Sequence, residues 1–580
     1  MNSFLKSVID KITISNTTVT ENNEEAYTFE GTLTDNLLSY LVSFNEKLIG
    51  NRGKKNVTTC GISKEKLDDL FFNYIKKVER LRNETDIDIC LKYLFKLIIY
   101  TRDIENGKGE RLLFYRLILN YYSLTNYCKK QVIELLPYLT GGYKCKLEKP
   151  YGSFLDLNKL IEVIYDEYDP DDYIELIEAI VELYIKNLKY DNNSLKPSLA
   201  AKWAPRINKS LDKKTNLGKL ICERMYSEYK NYNTSQKLYR LLLSKINKNN
   251  NIPERNMSDN NWDIIELKHI PSKCFKKHKK ALLNINKDGS ERSTNYKRQI
   301  CKNNILKELS KPIETSKLNV NKLQPYELIE NYYNYDDIRE LQWNKFKYEI
   351  YEKYKDSNFK QGLCVSDFSG SMSGIPMNVC KSLSILLSGM LPEPWKNQVI
   401  TFEEKPQWVE LDDTKSLYEN VQVLNKAPWG YNTNFEAVFD LILNTAVKHK
   451  IPQDGMPEVL YIFSDMQFDQ TQKTCGYYRG TNNKYDRIFE DQKLKIDRAF
   501  KDAGYNPPHL VFWNLRGDTD SHVASSESNN VSILSGFSSN IFKGFLDGTL
   551  DVCATPLDNL LNILDSERYD IIDQIYITQK

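Results

Sequence analysis

Histidine is scarce in this chain, with five residues in 580, and none stands in a His-x-x-x-His or His-Glu pair. That argues against a zinc site, which draws on histidine and cysteine at short spacings. The eleven cysteines include no Cys-x-x-Cys, so they read as reduced, mostly buried thiols of an intracellular protein. No secretory leader is recognisable, because charges interrupt the apolar residues between Met1 and Ile14. No apolar run approaches the roughly 20 residues that cross a bilayer. These absences predict a soluble protein without membrane contact, cytoplasmic, or in a virion if the source is a large DNA virus. The segment Thr101-Arg102-Asp-Ile-Glu-Asn-Gly107-Lys108-Gly109-Glu110-Arg111 lacks the Gly-Lys-Ser/Thr ending of a phosphate-binding loop, which excludes nucleotide binding there. It reads as a tight turn between helices with Arg102, Lys108 and Arg111 pointing outward.

What is present describes a folded protein of several domains. Apolar residues make up 41% of the chain and aromatics 12%, and the length suggests two to four domains. The net charge of +2 hides an asymmetry: residues 201–320 hold 27 Lys and Arg against 11 Asp and Glu. That segment is a candidate anion-binding surface.

Residues 1–25 are polar and are expected to form a poorly ordered tail. From 26 to 354 apolar residues recur at spacings of three and four, as in Leu67 to Leu81, Ile87 to Tyr100, Leu112 to Leu124 and Tyr173 to Leu188. This predicts stacked helix pairs of solenoid type. From 355 to 580 apolar runs alternate with helical stretches. The strands are expected at Gly362 to Ser366, Gln398 to Phe402, Val459 to Phe463, His509 to Leu515 and Val531 to Leu534. Helices are expected at Met377 to Met390, Phe435 to Lys448, Lys484 to Phe500 and Asn540 to Leu546, with closing helices between Pro556 and Ile575. The fold class is therefore α plus α/β, an all-helical region followed by a doubly wound sheet.

The first of these apolar runs ends on Asp367-Phe-Ser369-Gly-Ser371. One carboxylate and two hydroxyls at a strand end suit a hard divalent cation such as Mg²⁺, which takes six oxygens and keeps several waters. Thr433 lies in a loop before the helical stretch at Phe435, and the run at Val459 ends on Asp465. In an open parallel sheet such groups collect beyond the carboxyl ends of the strands. The alternative is that Asp367 and Asp465 only cap the helices that follow.

The basic segment opens with Lys202-Trp203-Ala-Pro205-Arg206 and is densest at Lys273-Cys-Phe275-Lys276-Lys277-His278-Lys279-Lys280. Lysines interleaved with an aromatic ring suit phosphate contact with base stacking. A solvated helix face is the competing reading.

The ordered set Asp367, Ser369, Ser371, Thr433 and Asp465 resembles the metal-ion-dependent adhesion site of von Willebrand factor A domains. The resemblance implies that Ser369, Ser371 and Thr433 touch the metal while Asp367 and Asp465 hold it through water. It also implies that a partner protein's Asp or Glu fills the open position. The chain as a whole, over roughly 30 to 550, looks like a member of the domain of unknown function 2828 family. The motifs are Gly107-Lys-Gly-Glu-Arg111, Tyr151-Gly-Ser-Phe-Leu-Asp156, Lys202-Trp-Ala-Pro205, Glu254-Arg-Asn-Met257, Trp262, Pro271-Ser-Lys273, Ser366-Asp-Phe-Ser-Gly-Ser-Met372 and Phe463-Ser-Asp-Met466. More distantly it is similar to the Ro autoantigen group, whose ring of helical repeats closed by a von Willebrand A-like domain implies binding of small structured RNA.

An enzymatic alternative is a hydrolase with Ser373 of Gly370-Ser371-Met-Ser373-Gly374 as nucleophile, Asp465 as acid and His509 or His522 as base. Metal-assisted hydrolysis is a further option. The expectation is instead a non-enzymatic, Mg²⁺-dependent binding protein with an RNA-binding helical part. Its alternative is a metal-dependent protein scaffold without nucleic acid.

Overall fold

Helices form where the three-and-four spacing is sustained, and strands form where apolar runs are short and continuous. The computed structural model describes residues 16–19, 25–28, 37–50, 61–81, 84–320, 323–354, 362–428, 434–466, 488–518, 530–539, 541 and 555–578. Near the start, β1 (Asn16–Val19) pairs antiparallel with β2 (Glu25–Thr28). The expected tail thus includes a strand, consistent with its β-branched Thr-Thr-Val run. Helices follow: α1 (Leu37–Lys47), α2 (Lys64–Val78), α3 (Glu84–Arg102), α4 (Leu112–Tyr122), α5 (Asn126–Thr140), α6 (Phe154–Glu167), α7 (Ile174–Asp191), α8 (Leu217–Met225), α9 (Tyr232–Asn249), α10 (Ser272–Leu282), α11 (Tyr296–Leu309) and α12 (Asp337–Tyr354).

Strands and helices then alternate as β3 (Gly362–Ser366), α13 (Ile375–Ser388), β4 (Gln398–Thr401), β5 (Trp408–Glu410), α14 (Leu417–Asn425), α15 (Phe435–His449), β6 (Val459–Ser464), α16 (Ile488–Asp502), β7 (His509–Asn514), β8 (Val531–Ser535), α17 (Pro556–Leu564) and α18 (Asp570–Thr578). The helix expected at Asn540 to Leu546 falls, apart from Ile541, outside the described residues.

The sheet runs β5-β4-β3-β6-β7-β8, and every neighbouring pair is parallel except β4 with β5. The chain enters at β3, moves outward through β4 and β5, then crosses to β6 and continues to β8. The junction of β3 and β6 is therefore the switch point, where a doubly wound sheet opens a crevice at its carboxyl edge. Every residue of β3, β6 and β7 is buried, as a sheet covered on both faces requires. Leu363, Val365, Leu460, Ile462 and Phe512 share one core with Phe435, Phe439 and Ile442 of α15 and Phe500 of α16. On β3 the alternate position Ser366 bonds Ser384 of α13, hydroxyl to hydroxyl, at 2.7 Å. Gly362 has to be glycine, because a Cβ there would lie 2.1 Å from Cε2 of Tyr461.

The chain divides into two compact units. One comprises residues 1–100, 106–108 and 324–570, and the other 101–105, 109–323 and 571–580. The change of periodicity near 355 thus marks the start of the sheet, while the α/β unit also takes in α1, α2, α3 up to Tyr100 and α12. Long-range bonds explain this. The Ser535 hydroxyl at the end of β8 donates to the Asn45 carbonyl at 2.8 Å. Lys108 Nζ donates to the Ser535 hydroxyl at 2.6 Å and the Leu48 carbonyl at 3.3 Å, and also to the Asn45 carbonyl. The Glu340 carboxylate of α12 accepts the first two N–H groups of α14, from Leu417 at 2.8 Å and Tyr418 at 2.9 Å.

In the helical unit α5 packs against α4, α6 and α7, and α8 against α7 and α9. Asp156 organises its interior. Arg102 donates Nε to Oδ1 at 2.9 Å and Nη2 to Oδ2 at 2.8 Å; Tyr115 donates to Oδ1 at 2.6 Å and the Ser153 N–H to Oδ2 at 2.7 Å. The expectation that Arg102 and Lys108 point outward is corrected: they are 1% and 0% exposed. Each has fixed acceptors inside the fold, and among the three only Arg111 is exposed. The motifs at 107–111 and 151–156 meet here, since Arg111 Nε lies 3.9 Å from Asp156 Oδ1.

Candidate functional site

Asp367 follows β3 directly, and its N–H continues the parallel ladder by donating to the Phe463 carbonyl of β6 at 3.0 Å. Its side chain is 1% exposed, as is that of Asp465 at the end of β6. The Ser369 N–H donates to Asp367 Oδ1 at 2.8 Å, closing a turn that the aspartate stabilises, and the Ser464 hydroxyl donates to Oδ2 at 2.9 Å. The hydroxyls of Ser369 and Ser371 lie 2.9 Å apart and both residues are half-buried. Burial, and after it the neighbouring Asp465 charge, pushes the Asp367 carboxyl up to about 7 despite those hydrogen bonds. Two buried carboxylates whose charges oppose each other in low dielectric favour a bound proton or a bound cation.

Met466, the residue after Asp465, adopts φ +65. A side-chain-bearing residue costs about 1–3 kcal/mol in such a conformation, and strain of this kind gathers at functional sites. Thr433 lies outside the described residues. Its neighbour Asn434 donates its N–H to the Glu403 carbonyl at 3.3 Å, which places the start of α15 beside the end of β4.

Four of the five expected metal-site residues are therefore at the ends of the two central strands. Among the described residues there is no cluster of three or more His, Cys, Asp or Glu. The donor set is instead two carboxylates with hydroxyls, a combination suited to a hard, oxygen-seeking cation.

Sequence reasoning missed Ser464, Thr401, Glu403 and Arg516. Ser464 is the last residue of an apolar run and carries no signal of its own. Thr401, 1% exposed, donates to half-buried Glu403 Oε1 at 3.1 Å just beyond β4. The order of apolar run then Phe402-Glu403 was the available clue. Arg516 Nη1 donates to the Ser371 carbonyl at 2.9 Å, a contact set by the pairing of β3, β6 and β7.

Among the described residues, the hydrolase constellation with His509 as base is not assembled. Ser373 is exposed. His509 is buried at the opposite end of β7, level with Val459, with its ring nitrogens bonded to Asn530 at 3.1 Å and Ser532 at 2.8 Å. A strand of that length separates it from the carboxyl edge by roughly 17 Å. His522 lies outside the described residues.

On the basic segment, Lys273, Lys276, Lys277 and Lys280 are exposed on α10 and Lys279 is half-buried. Phe275 is 1% exposed, so its proposed stacking role is corrected: its ring lies on the apolar face that anchors the helix. Lys202 pairs with Glu254 at 3.2 Å. Half-buried Trp203 accepts from Asn158 Nδ2 through its carbonyl at 2.8 Å. Arg206 is exposed and its Nη2 reaches the Ala201 carbonyl at 3.4 Å. No described helix is long and apolar enough to cross a membrane.

Comparison with known proteins matches the two parts of the chain separately. The family described as domain of unknown function (DUF2828) matches residues 156–346, and that described as domain of unknown function (DUF7788) matches residues 361–559. The expected match over roughly 30 to 550 is thus shared between two families. An uncharacterized protein of Acanthamoeba polyphaga mimivirus is 30% identical over 510 residues, which span 85% of this chain and 82% of that protein. Sharing both its helical and its α/β part with that relative, the chain belongs to the domain of unknown function 2828 family.

Proposed function

We propose that the α/β unit is a Mg²⁺-dependent adhesion domain of von Willebrand A type that captures an Asp or Glu of a partner protein. One observation carries this reading: two buried carboxylates, Asp367 and Asp465, end adjacent central strands beside the paired hydroxyls of Ser369 and Ser371. The hydroxyls would contact the cation, with Thr433 completing the set, and the carboxylates would hold its waters. When bound, the cation supplies an electrophilic position for an external carboxylate. The chain's own part is to hold the hydroxyls together, to keep Asp367 dry and to bury the charge of the pair. Two independent assays test this on the purified chain: Mg²⁺ binding by calorimetry, and partner capture from cell extract with and without chelator. Asp367→Ala should abolish both. Unchanged capture in chelator would refute the adhesion mechanism even if Mg²⁺ binds.

A second reading concerns the helical unit, because α10 exposes Lys273, Lys276, Lys277 and Lys280 while its Phe275 is buried. Such a surface suits the phosphates of a structured RNA, as the resemblance to the Ro group suggests. Each phosphate contact lowers affinity in salt with a log–log slope near −0.7 to −0.9. Replacing the five lysines 273, 276, 277, 279 and 280 with Gln should flatten the slope by several units. An unchanged slope would assign any RNA binding to another surface.

A further inference from the structure

Arg516 lies just beyond β7, and three of its N–H groups have fixed acceptors. Nη1 donates to the Ser371 carbonyl at 2.9 Å, while Nε and Nη2 fork onto Asp518 at 2.9 and 2.6 Å. The backbone beneath it is confined as well. The Arg516 N–H bonds Asn514 Oδ1 at 2.9 Å, and Lys66 of α2 reaches the Asp518 carbonyl at 3.5 Å. Gly517 is pressed against the segment after α1, so that a Cβ there would meet the Lys47 carbonyl at 2.7 Å and Ile49 Cβ at 3.1 Å. The Arg516 side chain is only 18% exposed, so water competes weakly for these bonds.

We infer that Arg516 is a positioning residue that sets the Ser369 and Ser371 hydroxyls for a divalent cation, and that Asp518 makes this brace electrically neutral. The inference rests on the cation reading proposed above and adds to it the part that shapes the loop. A planar guanidinium can fork onto one carboxylate and still direct an N–H at a carbonyl, which a lysine cannot do. Holding the Ser371 carbonyl fixes the peptide and hence the direction of the side chain that meets Ser369. A bare guanidinium near the loop would repel a cation, and the Asp518 charge cancels that repulsion. Through Gly517 and Asp518 the same brace ties the metal loop to the N-terminal helices α1 and α2.

The test uses the full chain and Mn²⁺ alone, an oxygen-seeking ion whose free form is counted by electron paramagnetic resonance. Arg516→Gln should weaken Mn²⁺ binding about tenfold, with Arg516→Lys intermediate, and should speed hydrogen exchange at the Met372 and Ser373 amides. Asp518→Asn removes the carboxylate on which the guanidinium forks, so its loss of affinity should be larger at low ionic strength and shrink as salt is added. Because R516Q leaves the Asp518 charge unopposed, the double variant R516Q/D518N should bind Mn²⁺ more weakly than R516Q at low ionic strength, the two converging as salt is added. A merely structural arginine would lower the melting temperature without this dependence on salt. If wild type binds Mn²⁺ and neither single variant differs from it, the positioning role is overturned and the metal reading stands. If wild type binds no Mn²⁺, the metal reading falls and takes the brace with it. Should Arg516→Gln fail to fold, the salt dependence of Asp518→Asn decides alone.

Discussion

Asp156 and Asp367 are both buried aspartates at structural junctions, yet their surroundings are opposite. Burial alone disfavours the charge of Asp156, but Arg102, Tyr115 and Ser153 surround it with donors and hold its carboxyl below the ordinary carboxylate range. Among the described residues Asp367 takes its hydrogen bonds from Ser369 and Ser464, has no cation paired with it, and feels the charge of Asp465. The helical unit satisfies its buried carboxylate from within. The α/β unit assembles negative charge at the mouth of its sheet, where a ligand can supply the balance. Burial is common to both, so the partner set distinguishes an architectural aspartate from a candidate binding one.

The largest expected effect would come from breaking the self-satisfied pair. Asp156→Ala leaves the Arg102 guanidinium buried and unpaired, which should cost about 3–5 kcal/mol of stability in denaturant unfolding. A loss below about 1 kcal/mol would mean that the network is dispensable. Because the folded carboxyl titrates below its unfolded value, its stabilisation is present above the ordinary carboxylate range and is lost as pH falls through the folded value. Asp156→Asn should therefore remove part of the chain's acid sensitivity.

A smaller effect separates the other aspartate. Mg²⁺ at a hundred times its Kd should stabilise the wild-type chain by about 2.7 kcal/mol, seen as a higher melting temperature that chelator reverses. Asp367→Asn should abolish that gain while leaving the metal-free protein no less stable than wild type, since it removes one of two opposed buried charges. A variant that unfolds without metal would place Asp367 alongside Asp156 as architecture.

The parts of this picture legible in sequence were those encoded locally. Strands β3 and β7 were readable to within a residue because each is a short, uniformly apolar run buried on both faces. Edge strand β5, three residues with only Val409 buried, offered no such run. The Asp367, Ser369 and Ser371 set was visible because its members lie within five residues. Arg516 was not, because its contact with Ser371 spans 145 positions. Arg102 and Lys108 were misread as solvated because a glycine-rich basic turn usually is. Their acceptors, Asp156 and Ser535, stand 54 and 427 residues away. The assignment of α1 and α2 to the α/β unit escaped for the same reason, since pattern reports which face is apolar and not which distant partner covers it.

The bond from Lys108 to Ser535 also orders events in time. The helical residues 109–323 are inserted between the two long segments, 1–100 and 324–570, that build the other unit, so their helices can form while the sheet is still missing strands. At about 5–20 residues per second, Asn45 and Lys108 emerge from the ribosome roughly 20–100 s before Ser535 is made to receive them. During that interval a buried lysine and the apolar face of α1 have no β8 to close on. The early helices of this protein therefore depend on its last strand, and a nascent or truncated chain lacking β8 would expose them to chaperones or to aggregation.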